Sequence, residues 1–288
     1  MGRARRQGAA ITAAGVAAVA LALGATPAAA QPTVKPGPTE HCERAELACV
    51  DGVIRRLRAT EARLGCDHRA VFATTYRVLT QEIRATLVNE PDFYRHRSWL
   101  ITQDAVFSNY YFDMLDNDRA GLPVHEAWRI ALDTARTGDA NAAQDMLLGI
   151  NAHVQRDMPY VLARVGLVNP RGESRKPDHD AANAILERAY ERVVATVARR
   201  YDPIVGTINS PAHPLDNVAG LELVRGWREL VWRNAERLLN ASTPAEKELV
   251  KQSIETNAAT TAREIASQPQ MPGYRAVRDA HCAARKTR

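Results

Sequence analysis

Apolar residues recur at helical spacing along nearly the whole chain, and no segment shows the two-residue alternation of a half-buried strand. The clearest example lies at residues 147–165. A helix that advances about 100° per residue there brings six apolar side chains onto one stripe: Leu147, Ile150, Val154, Met158, Val161 and Val165. Such stripes are buried against other helices. The pattern therefore predicts an all-α fold, a single bundle-like domain of about eight helices.

The N-terminus has the three parts of a secretory signal peptide. Arg3, Arg5 and Arg6 form a basic start, a short apolar run follows at residues 11–23, and alanines at 28–30 offer a cleavage site. The apolar run is too short and too rich in alanine and glycine for a membrane span. We therefore expect a protein that is secreted to the cell envelope or the extracellular space, by the general secretory or the twin-arginine route.

The expected organisation has three parts. Residues 1–30 are the signal peptide, residues 31–40 are a flexible lead that contains three prolines, and residues 41–288 are one helical domain with an irregular, basic C-terminal tail. Cleavage would remove three arginines and no acidic residue, so the formal charge would fall from +5 to +2. A nearly neutral domain lacks the basic face that nucleic acid requires. We expect no nucleic-acid partner and no stable membrane span.

The predicted mature chain contains four cysteines, which in an exported protein indicates two disulfides with three possible pairings. If residues 51–64 are helical, Cys49 and Cys66 lie about 25 Å apart, too far to be bonded. Of the two remaining pairings, the sequence favours Cys42 with Cys49 as a local link and Cys66 with Cys282 as a link to the C-terminal tail. No two cysteines are separated by two residues, which is the spacing typical of a zinc site.

Several residues predict where helices begin and end. Gly65 and Gly138 are expected to end helices, and Asp51 and Asp139 are expected to cap the helices that start beside them. Pro159 lies inside a helical stretch and should produce a kink just after Asp157. A further signal, Thr243-Pro244-Ala245-Glu246, predicts the start of the last helix, which should reach Ala266.

His153 and Asp157 interrupt the apolar stripe of residues 147–165. They are four residues apart, so they project together from neighbouring turns beside the core face. One interpretation is that they share a metal ion, or that Asp157 orients His153 as a proton carrier. The other is that the two side chains only satisfy each other or a neighbouring backbone group.

Three more polar residues lie on or beside apolar helix faces, namely Glu82, Asp104 and His179. Helical bundles commonly build metal sites from carboxylates and imidazoles on facing helices. Together with His153 and Asp157, these residues are therefore candidate ligands of a divalent ion, zinc, iron or manganese. If the protein is an enzyme, metal-dependent hydrolysis is the predicted class.

The alternative function is a non-catalytic binding protein of the envelope or extracellular space. In that case the same polar residues form a structural network, with Arg77, Arg84 or Arg164 as partners. A small-molecule or lipid-like ligand is compatible with this alternative. The long irregular segment at residues 201–216 would then contribute to binding. No GxSxG, GxxxxGK[ST], GxGxxG or HExxH motif points to another enzyme class.

Four phrases resemble an uncharacterised secreted bacterial family that is catalogued as domain of unknown function 5995. They are residues 67–72, 104–107, 148–159 and 174–180, and the most specific is Asn151-Ala-His153 followed by Asp157. The resemblance covers about residues 49–266 and implies a single helical domain. It implies no particular activity.

A looser similarity is to helical zinc phospholipase C and single-strand nuclease proteins, in which a His-x-x-x-Asp pair on a helix binds zinc. Only His153 and Asp157 match that pattern. The dense later histidines of that group are missing. The similarity therefore implies a site for one or two metal ions and not a three-zinc cluster.

Overall fold

The structure, a computed structural model, describes residues 42–207 and 217–286. The predicted signal peptide and flexible lead at residues 1–40 lie outside the described residues, as does most of the irregular segment predicted at residues 201–216. The described part is all-α and contains no strand, which confirms the predicted fold class. A single antiparallel bridge joins Val168 to Ser174.

The helices follow one another with short connections. They are α1 (Leu47–Leu64), α2 (Arg69–Asn89), α3 (Arg97–Arg119), α4 (Glu126–Thr137), α5 (Ala142–Ile150), α6 (Met158–Val165), α7 (Lys176–Arg200), α8 (Asn217–Asn240), α9 (Pro244–Ala266) and α10 (Tyr274–Lys286). A π-helix at Asn151–Asp157 joins α5 to α6 without a break. If α5, the π-helix and α6 are counted as one helix, the described residues contain one helix more than the predicted eight.

Helices α1 and α7 pack on either side of α2, and α9 packs against α4 and the π-helix. Helix α6 packs against α8 and α3. The π-helix contacts α3, α4, α8 and α9, which places it at the centre of the bundle. The residues that interrupt the apolar stripe therefore lie in the middle of the fold.

Some of the predicted helix boundaries are correct. Gly65 and Gly138 end α1 and α4 with positive φ angles of 58° and 67°. Thr243 and Glu246 form a reciprocal capping box at the start of α9, which ends at Ala266 as predicted.

Other boundary predictions are wrong. Helix α1 begins at Leu47, so Asp51 lies inside it, and Asn141 rather than Asp139 caps α5 with a capping box to Gln144. The C-terminal tail is not irregular throughout, because α10 occupies Tyr274–Lys286.

The irregular backbone predicted near Pro159 is the π-helix that precedes it. Proline has no N–H to donate to the carbonyl four residues earlier, and its ring clashes with that carbonyl, so an α-helix cannot continue unchanged into Pro159. The N–H of Met158 instead donates to the carbonyl of His153, five residues earlier. A side-chain hydrogen bond also connects the π-helix to α9, since Asn151 Nδ2 donates to the carbonyl oxygen of Ala258 over 2.8 Å.

Two disulfides link the cysteines in the pairing that the sequence favoured. Cys42 is bonded to Cys49, and Cys66 is bonded to Cys282. The second bond attaches α10 to the end of α1. Within the described residues, no helix combines the length and the apolar character that crossing a membrane requires.

Candidate functional site

His153 and Asp157 contact each other inside the bundle. Nδ1 of His153 lies 3.0 Å from Oδ2 of Asp157, and the two residues are 2% and 1% exposed. The indole Nε1 of Trp128 donates to the same Oδ2 over 2.9 Å, and Nη1 of Arg156 donates to Oδ1 over 2.9 Å. Asp157 therefore accepts hydrogen bonds at both of its carboxylate oxygens.

Arg156 connects this buried pair to the edge of the bundle. Its Nε donates to Oε1 of Glu255 on α9 over 2.9 Å, and its guanidinium stacks on the ring of Tyr160. Oε1 of Glu255 also lies 3.3 Å from Nδ1 of His125. The positive charge of Arg156 is thus shared between two carboxylates, which offsets the cost of burying the charges of Arg156 and Asp157.

Aromatic rings surround the imidazole of His153. The ring of Phe107 is stacked parallel to it, with 3.5 Å between the ring centroids and 7° between the planes. Tyr76 approaches with its centroid 4.9 Å away, and three further rings lie within 5.9 Å: Phe72, Tyr111 and Trp128. This enclosure fixes the orientation of the imidazole.

The protonation of the pair follows from these contacts. Burial lowers the pKa of His153, although the hydrogen bond to Asp157 acts in the opposite direction. Burial alone would raise the pKa of Asp157, but the bond to His153 and the charge of Arg156 outweigh it and hold that pKa below its usual value. At neutral pH the carboxylate is ionised and the imidazole is neutral, so Nδ1 carries the proton and donates it to Asp157. Nε2 then presents a lone pair.

His153 lines a cavity of about 190 Å³, which we call the central cavity. The rest of the lining comes from α2, the loop before α3, α3, α5, the π-helix, α6, α7, the 3-10 helix at Pro203–Thr207 and α8, and most of its side chains are apolar. Near the start of α8 the lining includes Leu223, which is 41% exposed. Apolar cavities of about 150 Å³ already hold a molecule the size of benzene.

Five buried polar atoms of the lining have no hydrogen-bond partner among the described residues. A partner is normally found for such atoms, because an unpaired buried donor or acceptor costs about 1–3 kcal/mol. Two of the five lie on α3, and the other three lie on α2, in the loop before α3 and in the π-helix, but all five residues line one cavity. They are Tyr76 Oη, Tyr94 Oη, Gln103 Oε1, Asp104 Oδ2 and His153 Nε2.

Asp104 lies on α3 in this lining and is 5% exposed. No cation contacts its carboxyl group within the described part of the chain. Burial raises its pKa to about 7. Near neutral pH the group therefore exists in both forms and can donate or accept a hydrogen bond.

The structure separates the other two predicted ligands from this pair. Oε2 of Glu82 accepts a hydrogen bond from Nη2 of Arg192 on α7 over 2.8 Å, so its partner is none of the three arginines that the sequence suggested. His179 is buried beside α8, where its Nε2 lies 3.1 Å from the carbonyl oxygen of Arg228. Of the five candidates, His153 and Asp157 are in contact, and His153 and Asp104 share the central cavity.

These positions do not fit a metal site. In the described residues no three His, Cys, Asp or Glu side chains are grouped so that they could hold a metal ion. Trp128, Arg156 and His153 already occupy the oxygens of Asp157. The proposed binding of zinc, iron or manganese stays a prediction, and elemental analysis of the purified protein beside His153→Ala tests it.

The sequence did not indicate several residues of the site. Trp128 on α4 and the adjacent Arg156 donate to Asp157, and Glu255 on α9 pairs with Arg156. Gln103, Tyr94 and Arg228 line the central cavity. Phe107, which stacks on His153, is a further residue of the site that the sequence did not single out. A signal for Gln103 was present, since it is a polar residue on the apolar face of α3 next to Asp104.

Residues 50–268 match a family described as a family of unknown function, DUF5995. The chain belongs to this family. The match covers most of the chain and agrees with the predicted resemblance over about residues 49–266. Comparison of this DUF5995 member with curated proteins and with solved structures finds no match. The looser similarity to zinc phospholipase C stays a prediction.

Proposed function

We propose that this protein binds a small, predominantly apolar molecule in the central cavity and orients it through His153, Asp104 and Gln103. The observation that carries the proposal is the coincidence of two features. The cavity is lined mainly by apolar side chains, and its lining includes five residues that each carry a buried polar atom without a partner among the described residues. Ligand sites typically combine an apolar wall with a few convergent polar groups.

The polar groups restrict which atoms of a ligand can lie beside them. Nε2 of His153 is an acceptor when Nδ1 donates to Asp157, so the ligand group beside it must donate a hydrogen bond. Protonated Asp104 can donate, and ionised Asp104 can only accept. A hydroxyl group of the ligand can donate to Nε2 of His153 while it accepts from protonated Asp104. An entirely apolar ligand would leave these atoms unpaired.

Binding outside the cytoplasm completes the proposal. Two disulfides in a chain of this size are typical of proteins from an oxidising compartment, and the N-terminal sequence has the features of a signal peptide. We therefore place the binding function in the cell envelope or the extracellular space. Non-catalytic binding is favoured over metal-dependent hydrolysis, because the carboxylate that would share a metal with His153 is already engaged.

A fluorescent probe tests the binding proposal. N-phenyl-1-naphthylamine is neutral and apolar, and its emission rises when it leaves water. We expect saturable binding to the purified protein with a stoichiometry of about one. Ala182 lines the central cavity on α7, and Ala182→Phe fills part of it, so the affinity should fall by roughly tenfold or more.

Ala195→Phe is the matched control. Ala195 lies on the same helix, is exposed and does not line the cavity, so the variant should bind the probe as the original protein does. Circular dichroism and melting curves identify variants that fail to fold. The proposal fails if the probe does not bind the original protein, or if both phenylalanine variants bind it equally well.

A further inference from the structure

Arg228 on α8 is a buried cation in the lining of the central cavity. The residue is only 6% exposed. Its Nε donates to Oδ1 of Asn183 over 2.7 Å, and its Nη2 donates to the carbonyl oxygen of His179. Both acceptors are neutral, so these bonds hold the side chain in place without compensating its charge.

Among the described residues, no carboxylate forms an ion pair with Arg228. The acidic residue nearby on α7, Asp180, is paired with Nζ of Lys176 at 2.8 Å. Burial lowers the pKa of Arg228 to about 10, so the guanidinium remains protonated at neutral pH. Buried charges in proteins are normally paired with an opposite charge. A buried arginine in a cavity lining that has no carboxylate partner among the described residues suggests that a ligand supplies the anion.

A second group points to the same ligand chemistry. Tyr94 is 4% exposed, lines the same cavity, and its hydroxyl has no hydrogen-bond partner in the described part of the structure. Burial raises the pKa of Tyr94, and the positive charge of Arg228 acts in the opposite direction. A phenol can donate a hydrogen bond to an anion while a guanidinium pairs with it.

On the basis of the proposed binding function, we infer that the ligand is a hydroxylated, otherwise apolar monocarboxylate of the fatty-acid class. Its carboxylate binds Arg228 and the hydroxyl of Tyr94, and its own hydroxyl donates to Nε2 of His153. A guanidinium has five N–H groups, and two of them donate to the described partners Asn183 and His179. The remaining groups suit the two oxygens of a carboxylate. The apolar lining suits a hydrocarbon body and leaves little polar surface for a sugar or a nucleotide.

Two ligands that differ only in the head group test this inference. Dodecanoic acid and dodecanol are titrated against the bound probe N-phenyl-1-naphthylamine at about pH 7.5, where the acid is ionised. The original protein should prefer the acid by roughly 10- to 100-fold, the range expected for a hydrogen bond to a charged group. Arg228→Gln should lose this preference and still bind the alcohol and the probe.

Arg225→Gln is the matched control on the same helix. Arg225 is more exposed and pairs with Glu187 and Glu222, so its replacement should leave the preference for the acid unchanged. If Arg228→Gln does not fold, the comparison of acid and alcohol in the original protein still decides the matter. Arg228→Lys, which keeps the charge, should retain part of the preference.

The outcomes separate this inference from the proposed function. If the probe binds but the original protein binds dodecanoic acid and dodecanol with equal affinity, the inference is overturned while the proposed binding function stands. An unchanged preference for the acid in folded Arg228→Gln also overturns it. If the probe, the acid and the alcohol all fail to bind, the proposed function itself is wrong.

Discussion

The imidazole of His153, which lines the central cavity, donates from Nδ1 to Oδ2 of Asp157 over 3.0 Å and leaves Nε2 without a partner among the described residues. A carboxylate that fixes one nitrogen of a histidine also fixes what the other nitrogen can do. Because burial keeps the ring neutral, Nε2 is an acceptor. The pair therefore defines the polarity of the ligand atom that contacts it.

Nuclear magnetic resonance can observe this arrangement directly. In ¹⁵N-labelled protein near neutral pH, Nδ1 of His153 should be protonated and Nε2 should not, with His153→Gln used to assign the signals. The ring should stay neutral to a pH below the usual histidine pKa of about 6.5. A ring that titrates at its ordinary value, or one that is protonated only at Nε2, would contradict the assigned hydrogen bond.

The same lowered pKa has a consequence for stability. The folded state disfavours the imidazolium, so the contribution of neutral His153 is fully present above about pH 6.5 and is lost as the pH falls from there toward the folded pKa. His153→Gln should therefore lose less stability than the original protein between neutral pH and about pH 5. Urea unfolding at a series of pH values measures the difference.

Replacing Asp157 tests the buried network. Its two oxygens accept from three donors, namely His153, Trp128 and Arg156. Asp157→Asn supplies one acceptor oxygen in place of two and removes the charge that faces Arg156, so unfolding should become easier by about 3–5 kcal/mol. Asp133→Asn, whose carboxylate is exposed and pairs with Arg129 and Arg136, should change stability by less than about 1 kcal/mol. Equal effects of the two substitutions would show that the network contributes no more than a surface ion pair.

Asp104 should make the protein less stable as the pH rises. Its folded pKa of about 7 lies above the value near 3.8 expected for an exposed aspartate, so between those limits the folded state holds the proton more tightly. Linkage then lowers the free energy of unfolding by up to about 1.4 kcal/mol per pH unit, which amounts to about 2 kcal/mol from pH 5 to pH 7 because the slope falls as the pH approaches the folded pKa. Above about pH 7 this dependence ends.

Asp104→Asn removes this titration. Other buried carboxyl groups with raised pKa values, such as Asp145 at about 6, titrate in both proteins and cancel in the comparison. The original protein should therefore lose stability relative to Asp104→Asn over the interval from about pH 5 to pH 7. Parallel stability curves for the two proteins would show that Asp104 titrates normally.

Local patterns predicted much of this fold because they depend on residues close together in sequence. The helical period, the glycines that end α1 and α4 and the capping box at Thr243 all act within a few residues. The contact between His153 and Asp157 belongs to the same class, since their separation of four residues is one helical turn. These features could be predicted before the helices were placed relative to one another.

The rest of the site depends on contacts between distant residues. Glu82 lies on an apolar face, but its partner Arg192 is 110 residues away, and nothing in the local pattern selects that arginine over others. Grouping Glu82 and His179 with the central pair assumed that residues with similar patterns converge. The central cavity could not be predicted either, because its volume arises from how eight helical segments pack.

Helix α10 shows a signal that was present in the sequence but was outweighed by the basic composition of the tail. Tyr274, Arg278 and Cys282 are spaced by four residues and are all buried. The hydroxyl of Tyr274 accepts a hydrogen bond from the N–H of Ala142, and Nη2 of Arg278 donates to the carbonyl of Cys66. One face of this helix therefore packs on the domain, while Arg275, Val277 and Asp279 on the rest of the helix are exposed.

Gly149 permits the close packing of α5 on α2 beside His153. A Cβ atom at this position would lie 2.3 Å from Cγ of Phe72, a ring that also contacts the imidazole. Gly149→Ala should therefore destabilise the fold by about 1–3 kcal/mol, since a well-packed core resists an added methyl group. Gly226→Ala in α8 meets no atom within 4 Å and should be neutral or stabilise by up to about 1 kcal/mol. If thermal melting shows the same change in both variants, the close approach of α5 and α2 is incorrect.

The two disulfides should differ in how much they stabilise the protein. Cys66 and Cys282 are 216 residues apart, whereas Cys42 and Cys49 are 7 apart. The entropy that a cross-link removes from the unfolded chain grows with the length of the closed loop, which gives about 5 kcal/mol for the first bond and about 2 kcal/mol for the second. Replacing Cys66 and Cys282 together by serine should therefore lower the denaturation midpoint more than replacing Cys42 and Cys49 together. The long-range variant should also release α10, which limited proteolysis detects as cleavage between Ala266 and Tyr274. An equal loss of stability in the two double variants, with α10 still protected, would mean that the non-covalent contacts of Tyr274 and Arg278 hold the helix without the bond.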